Sequence, residues 1–487
     1  MNGAMIVYIL GQVLRIEGLL MLPSFAVGLI YGEQQGWVYL IWGLACVLLG
    51  AVISARKPQN TMIYLKEGCV STALCWIVLS AFGATPFVLT GEIPRFIDAM
   101  FETVSGFTTT GSSILTDVEV VSHPSLFWRS FTHWIGGMGV LVFLLAVLPM
   151  AGGSQFQLMK AESPGPSVGK LVPKVGATAR ILYIIYFGMT VVTIVLLLLG
   201  GMDPFDAVTI SFGTAGTGGF GVKADSCAGY STYCIWVITI FMLLFGVNFN
   251  FYYFLTLRRF RDAFKMEEVR WYFIIVAAAT GICFLTLVDE MRLFDAMTHS
   301  AFQVASIITT TGFATKDFNF WHSAAKTVLV MLMICGACAG STGGGLKVSR
   351  MVVFVKSAVK EVDSYIHPRS VKRVKVEGRP VEHEIIRSIN VYLTTYVLLF
   401  AASVFLVSLE GKDLITTFTA VAATINNIGP GLELVGPTGS FAHLTDLSKW
   451  TLIFDMLAGR LELFPMLILF HPTIWKQTFR HKARKCT

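Results

Sequence analysis

The chain has 487 residues, 54% of them hydrophobic and only 14% charged, with a formal net charge of +7. Mean hydropathy is +0.68. A soluble globular chain carries about a quarter charged residues, so this composition excludes an ordinary soluble domain and points to a membrane protein.

Apolar runs long enough to span a bilayer fall near 5–31, 36–55, 70–91, 125–150, 181–201, 231–256, 271–288, 324–338 (continuing toward 359), 388–408 and 448–472. The expectation is an all-α polytopic membrane protein with about ten transmembrane helices. The first run carries Arg15 and Glu17 and has no small-residue cleavage site, so it reads as a retained helix rather than a signal peptide.

Most of the 37 Lys and Arg residues lie in alternate segments: 56–66, 160–180, 258–270, 347–387 and the tail. Arg95, Arg129, Lys223, Arg292, Lys316, Lys326, Lys412 and Lys449 fall in the other loops. The positive-inside rule then places both termini in the cytoplasm. Topology thus accounts for the net charge better than nucleic-acid binding does, and no nucleic-acid partner is expected. The tail "KQTFRHKARK" is suited to touching acidic membrane lipid. The nine cysteines scatter. "CGAC" (Cys335–Cys338) has no second pair, which argues against zinc or redox duty. Cys227 and Cys234, near an outer loop, are candidates for a disulfide.

The loops after the third, fifth, seventh and ninth runs repeat one design. They read "IPRFIDAMFETVSGFTTTGSSI", "MDPFDAVTISFGTAGTGGFGV", "MRLFDAMTHSAFQVASIITTTGFAT" and "KDLITTFTAVAATINNIGPGLE". Each is a helix-like stretch too short to span, ending in a turn rich in Thr, Gly or Asn. Gly111, Gly219, Gly312 and Gly429 align about a hundred residues apart. Phe101-Glu102 further matches Phe302-Gln303, and Ser105 matches Ser306. The competing reading is ordinary glycine loops between hydrophobic hairpins.

The expected organisation is two N-terminal helices (1–67), then four pseudo-repeats of helix, pore loop and helix around one ion pore. The repeats cover 68–152 (pore loop near 111), 178–262 (near 219), 268–360 (near 312) and 388–473 (near 429). A basic linker (361–387) and a basic tail (474–487) complete the chain. Irregular backbone at membrane depth is tolerated where it lines a cavity or is buried in protein. Four such turns around an axis can present carbonyls that replace a monovalent cation's hydration shell. The C-terminal ends of the short helices favour a cation there. Asp98, Glu102, Asp117, Asp206, Asp225, Asp295 and Glu433 read as mouth acids that raise local cation concentration, or as solvated loop charges.

"GACAGSTGGGLK" interrupts the helix after the third pore loop. Its glycines cannot support a stable helix interior. It reads as a movable intramembrane loop, or as close helix packing. Arg460 lies within the last run, where an ionisable residue is costly. It can pair with Glu462, bond a gate-loop carbonyl, or stand in the ion path. Asn248 and Asn250 read as ties between helices. Gly136, Gly137 and Gly139 read as close helix packing. His133 is a candidate for proton coupling.

The ordered strings "SGFTTTGS", "FTHWIGGMG", "GTGGFG", "SIITTTGFAT", "CGACAGSTGGGLKVSR", "NNIGPG" and "LAGRLELFP" resemble the Trk/Ktr/HKT superfamily of potassium transporters, closest to the bacterial TrkH/TrkG type. The resemblance covers about 70 to 472, and the two extra N-terminal helices fit the same branch. It implies a K+ selectivity filter of Thr109-Thr110-Gly111, Thr217-Gly218-Gly219, Thr310-Thr311-Gly312 and Asn427-Ile428-Gly429. In the second copy Gly218 and Gly219 both remain candidates for the aligned glycine. The resemblance further implies a gate loop of Gly336, Gly340, Ser341, Thr342, Gly343, Gly344, Gly345 and Lys347, and a pore barrier at Arg460. It implies a homodimer in the bacterial inner membrane and a cytosolic, nucleotide-binding RCK-type regulatory subunit (TrkA-like). The segment Lys347–Arg387 is large enough to dock that subunit, or is a solvated loop. K+ is the transported ion, and no organic cofactor is expected.

The leading expectation is potassium uptake through a gated, channel-like pore. The alternative is a secondary symporter coupling potassium to H+ or Na+. Enzyme chemistry is disfavoured, because the chain has no P-loop, no HExxH and no convincing nucleophile–base set. The non-identical second and fourth filter segments predict a less symmetric ring with weaker discrimination against sodium.

Overall fold

The computed structural model describes residues 2–60, 62–139, 175–369 and 373–472, with the side chains of 175–179 left aside. The fold is helical. Among the described residues the strands are one antiparallel pair, β1 (Lys375–Val376) and β2 (Arg379–Pro380).

Helices α1 (Gly3–Leu20), α2 (Leu22–Tyr31) and α3 (Gln35–Ile53) form an N-terminal hairpin. Its two arms meet at glycines. A methyl group on Gly18 would run into the Gly43 carbonyl, and one on Gly50 into the backbone and side chain of Gly11 and Arg15. Gly28 lies likewise against Gly36. Small residues let backbones approach where lipid supplies no hydrophobic drive between helices.

Four units follow. Each has a first long helix, a short helix, a turn, and a second helix. The first helices are α4 (Leu65–Leu89), α7 (Val175–Leu199), α12 (Glu267–Leu287) and α16 (His383–Ser408). The short helices are α5 (Phe96–Phe107), α8 (Pro204–Gly216), α13 (Leu293–Ile308) and α17 (Leu414–Ile425). Asp203 caps α8 by accepting from Phe205 N, and Asp413 caps α17 by accepting from Thr416 N. Hydrogen bonds from Thr416 hold the Asp413 carboxyl below its usual range. The last turns of the short helices are wholly buried: Ala99–Phe107 and Ala420–Ile425 have no exposed residue.

The second helices depart from expectation. An interruption was expected after the third turn alone. In three units the described helix breaks after 13 to 15 residues and resumes. These pairs are α9 (Thr232–Phe245) with α10 (Phe249–Thr256), α14 (Ser323–Cys335) with α15 (Val348–Ile366), and α18 (Asp446–Arg460) with α19 (Phe464–Leu469). The short α11 (Phe260–Lys265) follows α10. In the first unit α6 (His123–Gly137) also stops early, with Gly139 at φ +85°. The expected continuation to 150 lies outside the described residues, as do the rest of 140–174, 370–372 and the tail from 473. Among the described residues six helices are long and apolar enough to cross a membrane, and α9 with α10, bent by 90°, makes a seventh if counted as one span. The breaks explain why this number is smaller than the number of apolar runs.

Candidate functional site

The site grows from the ends of the four short helices. Each ends with the same pair of hydrogen bonds. Thr110, Gly218, Thr311 and Ile428 each donate their N–H to a carbonyl five residues back, at 2.8 Å in every case. Thr109, Thr217, Thr310 and Asn427 each donate to a carbonyl three residues back, at 3.1 to 3.2 Å. This is the Schellman arrangement, which requires a left-handed residue after the helix. Those residues have φ of +55°, +55°, +58° and +56°. Glycine is usual there; three of the four are threonine, whose branched Cβ disfavours that conformation.

Two residues on, Gly111, Gly219, Gly312 and Gly429 have φ of +82°, +77°, +87° and +103°. This fixes the register of the second copy: Gly219 is the aligned glycine, and Gly218 takes the place of Thr110, Thr311 and Ile428. The four turns close a circle. A methyl on Gly111 would collide with the Gly218 carbonyl, one on Gly219 with that of Thr311, and one on Gly312 with that of Ile428. On Gly429 it would lie 2.8 Å from the Thr110 carbonyl. Each turn therefore presses on the carbonyl before the glycine of the next. Only glycine satisfies both the close approach and the positive φ.

The side chains behind this shared backbone differ. In the first and third turns the threonines repeat one pattern. Thr108 Oγ1 donates to Val104 O and pairs with Thr110 Oγ1, at 2.6 and 2.8 Å. Thr309 does the same with Ala305 O and Thr311, at the same distances. In the fourth turn Asn427 Nδ2 donates to Thr110 Oγ1 and Met456 O, both at 2.9 Å. Asn426 is bonded to Tyr396. In the second, Phe220 N donates to His133 Nε2 at 3.2 Å, while His133 Nδ1 lies 2.8 Å from Gly106 O. That pairing uses the neutral imidazole with its proton on Nδ1. The bonds tie the first short helix to the second turn.

The loop 336–347 lies beneath the turns. Gly344 N donates to Thr310 Oγ1 at 2.6 Å. A methyl on Gly343 would be 2.8 Å from Thr309 O, and one on Gly344 would meet Asn426 O. Gly336, Gly340 and Gly345 have positive φ, as does Lys347 at +73°. Lys347 Nζ donates to Gly343 O, and Ser341 Oγ to Cys338 O at 2.7 Å. Thr342 Oγ1 donates to Phe245 O, and Cys338 N to Gly246 O, so the loop also fills the break between α9 and α10. Gly340 O accepts from Phe249 N at 3.0 Å. Asn248 accepts from Asn250 N.

Arg460, the last residue of α18, gathers these parts. It donates to Thr342 O at 2.8 Å, Gly137 O at 2.7 Å, Thr109 Oγ1 at 3.2 Å and Gly136 O. The expected bond to a loop carbonyl is observed. Glu462 bonds Arg350 instead.

Several expected mouth acids are not solvated charges. Glu102 is 1% exposed and pairs with Arg129, Nε to Oε1 2.5 Å. It also accepts from Ser113 Oγ and Ile114 N. Arg129 donates to Gly221 O and covers the Phe220 ring at 3.7 Å. The pair thus fastens the first unit to the second, and Arg129 is a buried helix residue rather than a loop charge. Asp98 is bonded to Lys449 at 2.6 Å, and Asp206 faces Lys223 at 3.5 Å. Gln303, aligned with Glu102, has no hydrogen-bond partner for either amide atom among the described residues. Cys227 and Cys234 are both free and buried, so the expected disulfide is absent; Cys234 Sγ faces the carbonyl of Gly200 at 3.7 Å.

Sequence reasoning missed two anchors. Glu268 accepts from Ala339 N at 2.6 Å and Ser349 N at 3.1 Å, pinning both ends of the loop to α12. Arg350 is 4% exposed, stacks on Tyr392 at 4.2 Å and holds Glu462. It reads from sequence as one more charge in a basic stretch. No local pattern marks it, since on α15 it shares a side with Ser357 and Glu361.

The family described as "TrkH: Cation transport protein" matches residues 36–477. The chain is 33% identical over 486 residues to the Trk system potassium uptake protein TrkH of Vibrio parahaemolyticus, covering 97% of this chain and 99% of that one. It is 34% identical to TrkH of Escherichia coli, covering 96% and 97%. It is 32% identical to TrkG of Escherichia coli, covering 97% and 98%. The crystal structure of the potassium transporter TrkH from Vibrio parahaemolyticus superposes with a TM-score of 0.87 at 31% identity, covering 98% of this chain and all of that one.

Proposed function

The chain belongs to the TrkH family of cation transport proteins, and on that premise we propose that it takes up potassium through a gated, channel-like pore. The observation that carries this reading is the closed circle of four left-handed turns, each glycine against the next turn's carbonyl. Carbonyls held in such a ring can replace the hydration shell of K+. The filter is Thr109–Gly111, Thr217–Gly219, Thr310–Gly312 and Asn427–Gly429. Its backbone is alike in all four parts, so the asymmetry lies in the supporting side chains.

Gly336, Gly340, Ser341, Thr342, Gly343, Gly344, Gly345 and Lys347 form the gate in this reading, and Arg460 holds it and narrows the path. Opening would break the bonds from Gly344 to Thr310 and from Arg460 to Thr342. The four repeats, with the N-terminal helices outside them, are the working units. Relatives named as Trk system proteins support a multicomponent assembly. We therefore assign a homodimer in the bacterial inner membrane, with cytoplasmic termini, acidic lipid contact and an RCK-type regulatory subunit as partner.

The test is flux through the purified full chain in liposomes. Potassium flux should exceed sodium flux, and Gly312→Ser should lower potassium flux and erase the preference. Equal fluxes in the parent protein would remove the selectivity claim. Uptake against potassium's own electrochemical gradient would instead establish the coupled symporter.

A further inference from the structure

Glu17 lies within the membrane-spanning α1 and is 1% exposed. Neither of its carboxyl oxygens has a hydrogen-bond partner among the described residues. Its surroundings are apolar and close. A methyl on Gly83 of α4 would lie 3.0 Å from Glu17 Oε1, 2.9 Å from the Phe107 ring and 3.1 Å from the Thr103 methyl. The carboxyl therefore sits where α1, α4 and α5 meet, behind the first turn of the ring.

The same face of α4 presents two further buried polar atoms without partners among the described residues, Ser80 Oγ and Trp76 Nε1. Residues 76, 80 and 83 share one side of a helix. Among the described residues the charged and titratable neighbours offer Glu17 no counter-ion. Arg15 is exposed. Glu102 on α5 is occupied by Arg129. Arg460, 6.0 Å from the Trp76 ring, bonds three carbonyls and Thr109. On α3 the titratable neighbour is Cys46, itself buried.

An ionised carboxylate buried without a partner is far more costly than the neutral acid. We propose that Glu17 is a proton-binding site: its carboxyl holds a proton inside the membrane, at the junction of the N-terminal hairpin with the first short helix. The protonated group can donate to Ser80 or to a water shared with Trp76. The hairpin thereby meets the pore unit through a neutral acid rather than an ion pair.

The test is infrared difference spectroscopy on the full chain in lipid at neutral pH, parent against Glu17→Gln. The parent should show one carboxylic-acid C=O component that the variant loses. Asp455 and Glu67 are buried as well, so the difference, not the absolute band, makes the assignment. Glu17→Asp, a second variant should the amide fold poorly, should shift that component and keep it. Loss of ionised-carboxylate bands with an unchanged acid region in Glu17→Gln, or an acid region that does not move in Glu17→Asp, would overturn the proposal.

Discussion

At the scale of single residues, the threonines of the ring carry strain for a reason. A residue held in a sparsely populated region costs about 1–3 kcal/mol, and glycine at Thr109 or Thr310 would avoid it. Their hydroxyls are needed elsewhere: Thr109 accepts from Arg460, and Thr310 accepts from the loop at Gly344. Arg460→Ala removes donors from three carbonyls and one hydroxyl at once. Flux should rise; unchanged or lower flux in a well-folded variant would count against the barrier role. Arg129 and Glu102 make a different prediction. Arg129→Met leaves a buried carboxylate unpaired and should cost about 3–5 kcal/mol. Adding Glu102→Leu should recover part of that loss, as thermal unfolding in detergent across the double-mutant cycle would reveal. A fully additive cycle would mean the two side chains do not act as a pair.

At the scale of elements, the breaks in the second helices decide what the chain can do. The turn between α18 and α19 has Glu462 and Leu463 at φ +55° and +66°. Within three residues it presents Arg460 to the middle of the loop and Glu462 to Arg350 at the loop's exit. Two elements are thus held by one turn. Glu462→Gln weakens the hold on α15, so the loop should open more often. Cys338 is a native reporter, being in the loop and fully buried. Its modification by a membrane-permeant maleimide should be faster in Glu462→Gln, with Cys46 in the N-terminal hairpin unchanged as the control. Equal rates at Cys338 would show that the pair does not restrain the loop.

At the scale of the whole molecule, the ring exists only because four distant turns meet. The fourth turn touches the first, across more than three hundred residues, through Gly429 and Thr110 and through Asn427 and Thr110. The hydrophobic cores follow the units, with the first and fourth sharing one core together with the N-terminal hairpin. Anything that displaces that hairpin should therefore loosen the first turn. Gly18→Leu pushes α1 off Gly43 and should lower the thermal midpoint and the yield of folded protein. An unaffected midpoint would show that the hairpin is not part of the ring's support.

Much of this was legible in the sequence, and the unread remainder has a common cause. Hydropathy marked the spans, and the spacing of Gly111, Gly219, Gly312 and Gly429 marked the turns, because membrane insertion and left-handed backbone are local demands that composition and glycine must meet. "GACAGSTGGGLK" announced its own break for the same reason. The other breaks did not, since the α9–α10 and α18–α19 junctions hold one glycine each, Gly246 and Gly459, rather than a run of them. The partners of Glu102, Arg350 and Arg460 were equally hidden. Each lies on another unit, and burial decides whether a charge is a solvated mouth acid or half of an ion pair. Sequence alone determined a helical membrane protein with four repeated turns; tertiary structure alone decided which carbonyls, hydroxyls and charges face one another, because those contacts join segments that no local pattern connects.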